Sequence, residues 1–289
     1  LETADATVRR WVQAAGFEGG ADTHVLVPAD DGRLGQVWAG VRAADDPWAL
    51  AALPQKLPAG DYRLAEGGLA IDPTAAAMSW TLGGYAFERY KAAKRKPASL
   101  QLAPGAEVRQ GLLLAEAVQA TRDLVNTPAE HMGPADLAAA AKALADAHAK
   151  CRVIVGDALR KNGFPAIHAV GRAAAADRAP RLIELTWGRT RDPLLAIVGK
   201  GVCFDTGGLD LKPSSSMRLM KKDMGGAANA LGLARLVMAM KLPVRLQLLI
   251  PAVENAVSGH SYRPGDVVST RTGLHVEIGN TDADGRVMP

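Results

Sequence analysis

Four apolar runs in the second half of the chain, CRVIVG, RLIELTW, LLAIVG and VRLQLLIPA, are interspersed with segments of helical periodicity. Short runs rich in leucine and β-branched residues suit strands covered on both faces, and the intervening helices supply that cover. The pattern predicts an α/β fold whose sheet is mixed, largely parallel and flanked by helices. Helices are expected from Ala135 to Ala149, from Asp157 to Asn162 and from Met224 to Lys241, with a hairpin in VVSTRTGLHVEIG.

The first hundred residues repeat the alternation on a smaller scale. HVLVP and GQVWAGV read as strands, while VRRWVQAAGF, DPWALAAL and Thr74 to Lys91 read as helices. A chain of 289 residues with 48% hydrophobic content exceeds the usual single core, so two domains are expected. We place a smaller N-terminal α/β domain at 1–105, a linking helix at 106–126 and a larger domain at 127–289. The basic segment KAAKRKPAS reads as a solvated face or a docking patch.

A net charge of +4 without a polybasic tail supports nucleic acid only weakly as a partner. Two cysteines, Cys151 and Cys203, cannot build a disulfide framework and suit a reducing compartment. LETADATVRRW lacks the apolar core of a signal peptide, and runs such as Leu246 to Val253 are too short to span a bilayer. These features point to a soluble, cytoplasmic protein with no membrane partner, although a chain that starts at Leu1 rather than Met leaves a removed signal open.

The chemistry concentrates near the end. VGKGVCFDTGGLDLKP places Lys200, Asp205 and Lys212 in glycine-rich loops after the strand LLAIV, where open α/β sheets build their sites. A phosphate loop is excluded: Leu194 stands where that pattern needs Gly, and Gly201 where it needs Ser or Thr. In LMKKDMGG, Asp223 precedes a helix and could act as an ordinary N-cap. In NTDADGR, Asp282 and Asp284 lie two apart, so an extended segment would point both the same way, while a solvated turn is the plain alternative. Four converging carboxylates with almost no histidine nearby would repel one another unless cations neutralise them. Oxygen-rich sites of this kind suit Mg²⁺, Mn²⁺ or Zn²⁺, often as a pair.

The ordered set VGKGVCFDTGGLDLKP, LMKKDMGGAA, PAVENAVSG, RPGDVV and NTDADGR, preceded by TRDLVNTPAEHM, resembles the leucyl aminopeptidase (cytosol aminopeptidase) family from Thr121 to Pro289. The region before Glu107 corresponds to the family's variable N-terminal domain by position alone. The resemblance implies a metal-dependent hydrolase acting on peptides with a free N-terminus, with 127–289 as its catalytic domain. It implies two divalent ions per chain, zinc or manganese with magnesium as a further candidate, held by Lys200, Asp205, Asp223, Asp282 and Asp284. It further implies Lys212 and Arg286 as the catalytic pair, Arg286 holding a bicarbonate general base, and a homo-hexamer. A ligand Lys200 would have to be neutral, which nearby dications favour.

Two departures stand out. The family carries Glu at the position of Asp284, and one methylene less could restrict this side chain to one ion, lowering metal affinity or changing metal preference. The family's catalytic domain also continues beyond NTDADGR, so by the resemblance either further residues follow Pro289 or the chain is a truncated form whose sheet has lost neighbours and whose activity is in doubt. A non-catalytic or DNA-binding relative is the alternative function, and a structural metal protein is disfavoured because such sites favour Cys and His.

Overall fold

The computed structural model describes residues 4–66, 68–145 and 149–288. It forms two compact units, Leu1–Gln119 and Ala120–Pro289. In the first unit, α1 (Ala6–Ala14) is followed by the antiparallel pair β1 (His24–Pro28) and β2 (Leu34–Ala39). Then come α2 (Leu53–Lys56), β3 (Asp61–Arg63), α3 (Pro73–Gly83) and β4 (Ser99–Gln101), which pairs parallel with β3. A core of Leu50, Leu53, Leu57, Ala76 and Trp80 closes around the Trp80 indole, which donates to the Ala98 carbonyl at 2.8 Å.

Two expected helices are shorter than read. The DPWALAAL segment becomes helical only at Leu53, directly before Pro54, which tolerates a first helical turn because its missing N–H needs no partner there. The helix expected to reach Lys91 stops at Gly83, where two consecutive glycines remove helix propensity and the basic segment continues outside regular structure.

Helix α4 (Ala106–Asn126) runs through the division between the units. In the second unit, α5 (Pro134–Leu144) leads to β5 (Lys150–Val155), then α6 (Ala158–Lys161), α7 (Pro165–Gly171) and β6 (Arg181–Trp187). Residues 146–148 of the helix expected to reach Ala149 lie outside the described residues. The chain continues through β7 (Leu194–Val198), β8 (Gly201–Asp205), α8 (Ser214–Met217), α9 (Gly225–Ala239) and β9 (Arg245–Asn255). The hairpin β10 (Val267–Ser269) and β11 (His275–Glu277) and the short α10 (Asp284–Val287) complete it.

Strand β9 is the centre of the main sheet. It pairs antiparallel with β6 on one edge and parallel with β7 and then β8 on the other, and β5 lies antiparallel outside β6. The sheet is mixed as expected, but its ladders divide evenly rather than favouring parallel pairing. Only six residues separate β6 from β7, too few for the crossover that a parallel pair requires, so the chain reverses there. Alternation along the strands feeds two cores. Ile183, Leu185, Leu246 and Leu248 meet α5 and α9, whereas Leu182, Val202 and Val253 meet Leu159, Val170 and Tyr262 on the opposite face.

Gly201–Asp205 is a strand, not the loop that its glycine-rich surroundings suggest. β7 and β8 occupy one edge of β9 in succession and are interrupted only at Gly199 and Lys200. At this break the Lys200 carbonyl accepts the Ala227 N–H of α9 at 2.8 Å. A side chain at Gly199 would come within 2.8 Å of the Ala227 backbone, so glycine is what allows the helix to approach the strand so closely.

Candidate metal centre

Three segments distant in sequence deliver carboxylates to one point. Asp205 ends β8, Asp223 lies in the 3-10 turn Met220–Met224, and Asp284 begins α10. One oxygen from each lies within 4.8 Å of the others. Asp284 is fully buried and Asp205 nearly so. Like charges at this separation in a poorly hydrated place repel strongly unless a cation intervenes.

Two lysines intervene. The Lys200 ammonium, released from the ladder by the break between β7 and β8, sits 2.8 Å from Asp223 Oδ2 and 2.9 Å from Asp284 Oδ1. The Lys212 ammonium is 3.1 Å from Asp205 Oδ2 and also pairs with Asp282. The other Asp205 oxygen accepts the Gly207 N–H at 2.8 Å and the Asn255 amide at 2.9 Å. Lys200, Asp205, Asp223 and Asp284 are therefore brought together, and Asp282 joins them through Lys212. Arg286 is exposed on α10, where its side chain makes no hydrogen bond or ion pair with the described residues.

Asp282 and Asp284 do not point the same way. The Asp282 N–H is captured by the Asn280 side chain at 2.7 Å, a local turn replaces the extended segment, and the two acids turn to different lysines. Asp223 is not an N-cap either: α9 begins at Gly225, and its N-cap position is Met224, with no side-chain cap bond. Asp284 reaches the cluster despite its short side chain, because α10 starts at that residue and brings the backbone close. A Cβ at the next residue, Gly285, would lie 3.2 Å from the Lys200 nitrogen.

The cluster is chemically suited to a cation. Asp223 Oδ2 and both Asp284 oxygens are buried without a hydrogen bond, and of these Asp223 Oδ2 and Asp284 Oδ1 lie at ion-pair distance from the Lys200 ammonium. Buried carboxylate oxygens without a hydrogen bond are few in folded proteins, and a site for an ion is one of the reasons they occur. Burial pushes the Asp284 carboxyl up to about 6, with the Asp205 charge adding to the rise and Lys200 opposing it. Burial also raises Asp205, against the pull of the Gly207 N–H and Lys212. For both lysines burial favours the neutral amine, but the paired carboxylates win and hold the protons on.

The elevated Asp284 carboxyl has a measurable consequence. The folded state holds this proton more tightly than the unfolded chain, so the group's stabilising contribution is complete below about pH 4 and is lost as pH rises through about 6. In chelator-treated protein we expect urea unfolding to reveal a loss on the order of 3 kcal/mol across that window, since each tenfold difference in proton affinity between the two states is worth about 1.4 kcal/mol. Asp284→Asn should flatten that slope, and an unchanged slope would refute the assignment.

Sequence reasoning missed Asn255, Tyr262, Thr281 and Gly285. All four lie in or beside quoted motifs without an assigned role, and the only local signal was the position of Asn255 at the end of an apolar strand.

Comparisons with known proteins bear on the family and the fold. Residues 119–288 match the model of the cytosol aminopeptidase family catalytic domain, and residues 1–103 match the M17 aminopeptidase N-terminal domain. The Probable cytosol aminopeptidase of Rhodococcus jostii (strain RHA1) is 39% identical over 236 residues, covering 75% of this chain and 46% of that protein. The chain thus spans about half the length of the curated relatives it matches. Cytosol aminopeptidase from Coxiella burnetii superposes with a TM-score of 0.93 at 47% identity, covering 99% of this chain and 63% of that one. The bottromycin maturation enzyme BotP in complex with Mn superposes with a TM-score of 0.86 at 34% identity, covering 99% and 64%. Matches to both domain models, together with the likeness in sequence and structure, place this chain in the cytosol aminopeptidase (M17) family.

Proposed function

We propose that the protein is a metal-dependent aminopeptidase that hydrolyses the first peptide bond of peptides with an unblocked N-terminus, leucine among the residues released. The observation that carries this reading is the nest of Asp205, Asp223 and Asp284, with one oxygen of each within 4.8 Å of the others, and with Asp223 Oδ2 and both Asp284 oxygens buried without a hydrogen bond. Lys200, Asp205, Asp223, Asp282 and Asp284 would hold two divalent ions, zinc or manganese with magnesium as a further candidate. The manganese in BotP supports that choice. When bound, such ions acidify a water to hydroxide near neutral pH and polarise a carbonyl.

The remaining work belongs to the chain's own groups. Lys212 is kept protonated by Asp205 and Asp282, so at neutral pH it presents a fixed positive charge to the scissile carbonyl and stabilises the oxyanion that develops there. Lys200 would give up its proton to serve as a ligand, relieving the two carboxylates that now hold it. Arg286 offers a planar guanidinium with no competing partner among the described residues, suited to bidentate capture of bicarbonate as general base. Among the described residues no helix is long and apolar enough to cross a membrane. We extend the proposal to a cytoplasmic homo-hexamer on the strength of the family.

The test is release of leucine from leucyl amide by the full-length protein with Mn²⁺ or Zn²⁺, lost with chelator and absent for N-acetylated substrate. No hydrolysis under either metal would reject the proposal, and a salt-dependent gel shift in its place would favour the DNA-binding alternative.

A further inference from the structure

Thr281 has no solvent exposure, and it is held by three separate parts of the second unit. Its N–H donates to Asp210 Oδ2 at 2.7 Å, and its hydroxyl oxygen accepts the Asp210 N–H at 2.9 Å. The single hydroxyl proton can serve only one acceptor. It goes to the Gly207 carbonyl at 2.6 Å rather than to Asp210 Oδ2 at 3.1 Å, which the Thr281 N–H already serves. The Thr281 carbonyl accepts the Tyr262 hydroxyl at 2.6 Å and the Asn255 amide at 3.0 Å. The second Asn255 amide proton goes to Asp205, and the Asn255 backbone carbonyl accepts the Thr206 N–H and hydroxyl.

These bonds close a ring around the site. On one side lies the turn from Thr206 to Lys212, itself tied by the Lys212 N–H to the Thr206 carbonyl at 2.9 Å. On the other side, Asp282 follows Thr281 directly and Asp284 stands three residues on. Backbone tied at Thr281 therefore fixes how far Asp282 and Asp284 sit from Lys212 and Asp205. Asp210 adds charge to this contact, and a carboxylate accepting a backbone N–H is a stronger tie than a neutral pair.

We propose that Thr281, clasped by Asp210 and Asn255, is a positioning residue: it sets the separation between the Lys212 turn and the segment carrying Asp282 and Asp284, and thereby tunes metal affinity. This inference rests on the metal-centre reading above. The experiment is calorimetric titration of the metal-stripped full-length protein with MnCl₂, alongside thermal unfolding. Thr281→Val, which keeps shape and removes the hydroxyl, is expected to weaken Mn²⁺ binding about 10- to 100-fold, the usual effect of losing a group that orients ligands. Thr281→Ser should restore affinity to within a few fold. Should the valine variant not fold, Asp210→Ala removes the clasp from the solvent side, with Asp210→Asn as the rescue that keeps an acceptor oxygen. A folded Thr281→Val or Asp210→Ala protein with the parent's affinity, even one less heat-stable, would reduce Thr281 to a structural role and overturn the proposal. A parent protein that takes up no Mn²⁺ would overturn the metal reading and this inference together.

Discussion

Asp223→Ala is expected to lower kcat/KM by roughly 10³-fold or more while leaving the fold intact. Losing one ligand from an ion that acts as Lewis acid and activates water forfeits several kcal/mol of transition-state stabilisation, and about 4 kcal/mol corresponds to three decades of rate. Most ligand substitutions confuse function with folding. This one comes nearer to separating them, because what Asp223 Oδ2 loses is its ion pair with Lys200, while the repulsion among the clustered acids is relieved at the same time. Lys200 keeps Asp284 at 2.9 Å, so its charge stays compensated. We therefore expect the variant to bind less Mn²⁺ or Zn²⁺ by elemental analysis yet to unfold at the same urea concentration as the parent, or a higher one. Retained activity with a full metal complement would remove Asp223 from the centre.

Lys212→Ala should cut kcat by about 10² to 10³, the typical effect of deleting one oxyanion-stabilising donor, with little change in KM. Metal content should hold or rise, since Lys212 competes for the oxygens of Asp205 and Asp282 that an ion would use. Lys212→Arg should recover little of the loss, because a planar fork cannot place its charge where a compact ammonium does. If the alanine variant lost its metal in step with its activity, Lys212 would be a structural prop and not an electrophile.

Much of the frame could be read from residues alone. The apolar runs around Ile154, Ile183, Ile197 and Leu248 became strands, and the approach of Lys200 to carboxylates from distant segments follows the motifs that the family resemblance supplied. What escaped was set by partners far away in sequence. Gly201–Asp205 is a strand because the second half of β9 lies beside it, and five residues ending in an acid carry no period of their own to announce that. Asn280 diverted Asp282 by a side-chain bond that an alternating pattern cannot register. The ties of Thr281 cross 71 residues to Asp210 and 26 to Asn255, so neither end bears a local mark of the other.

The interleaving of two ammonium groups with four acids has a consequence for how such a protein comes into being. Bare carboxylates packed this tightly would oppose collapse of a newly made chain that holds no ion. Lys200 and Lys212 act as resident counterions that let the interior close without a metal ion. Assembly and metallation can then be separate events, unlike those of small zinc domains, in which the ion itself drives folding.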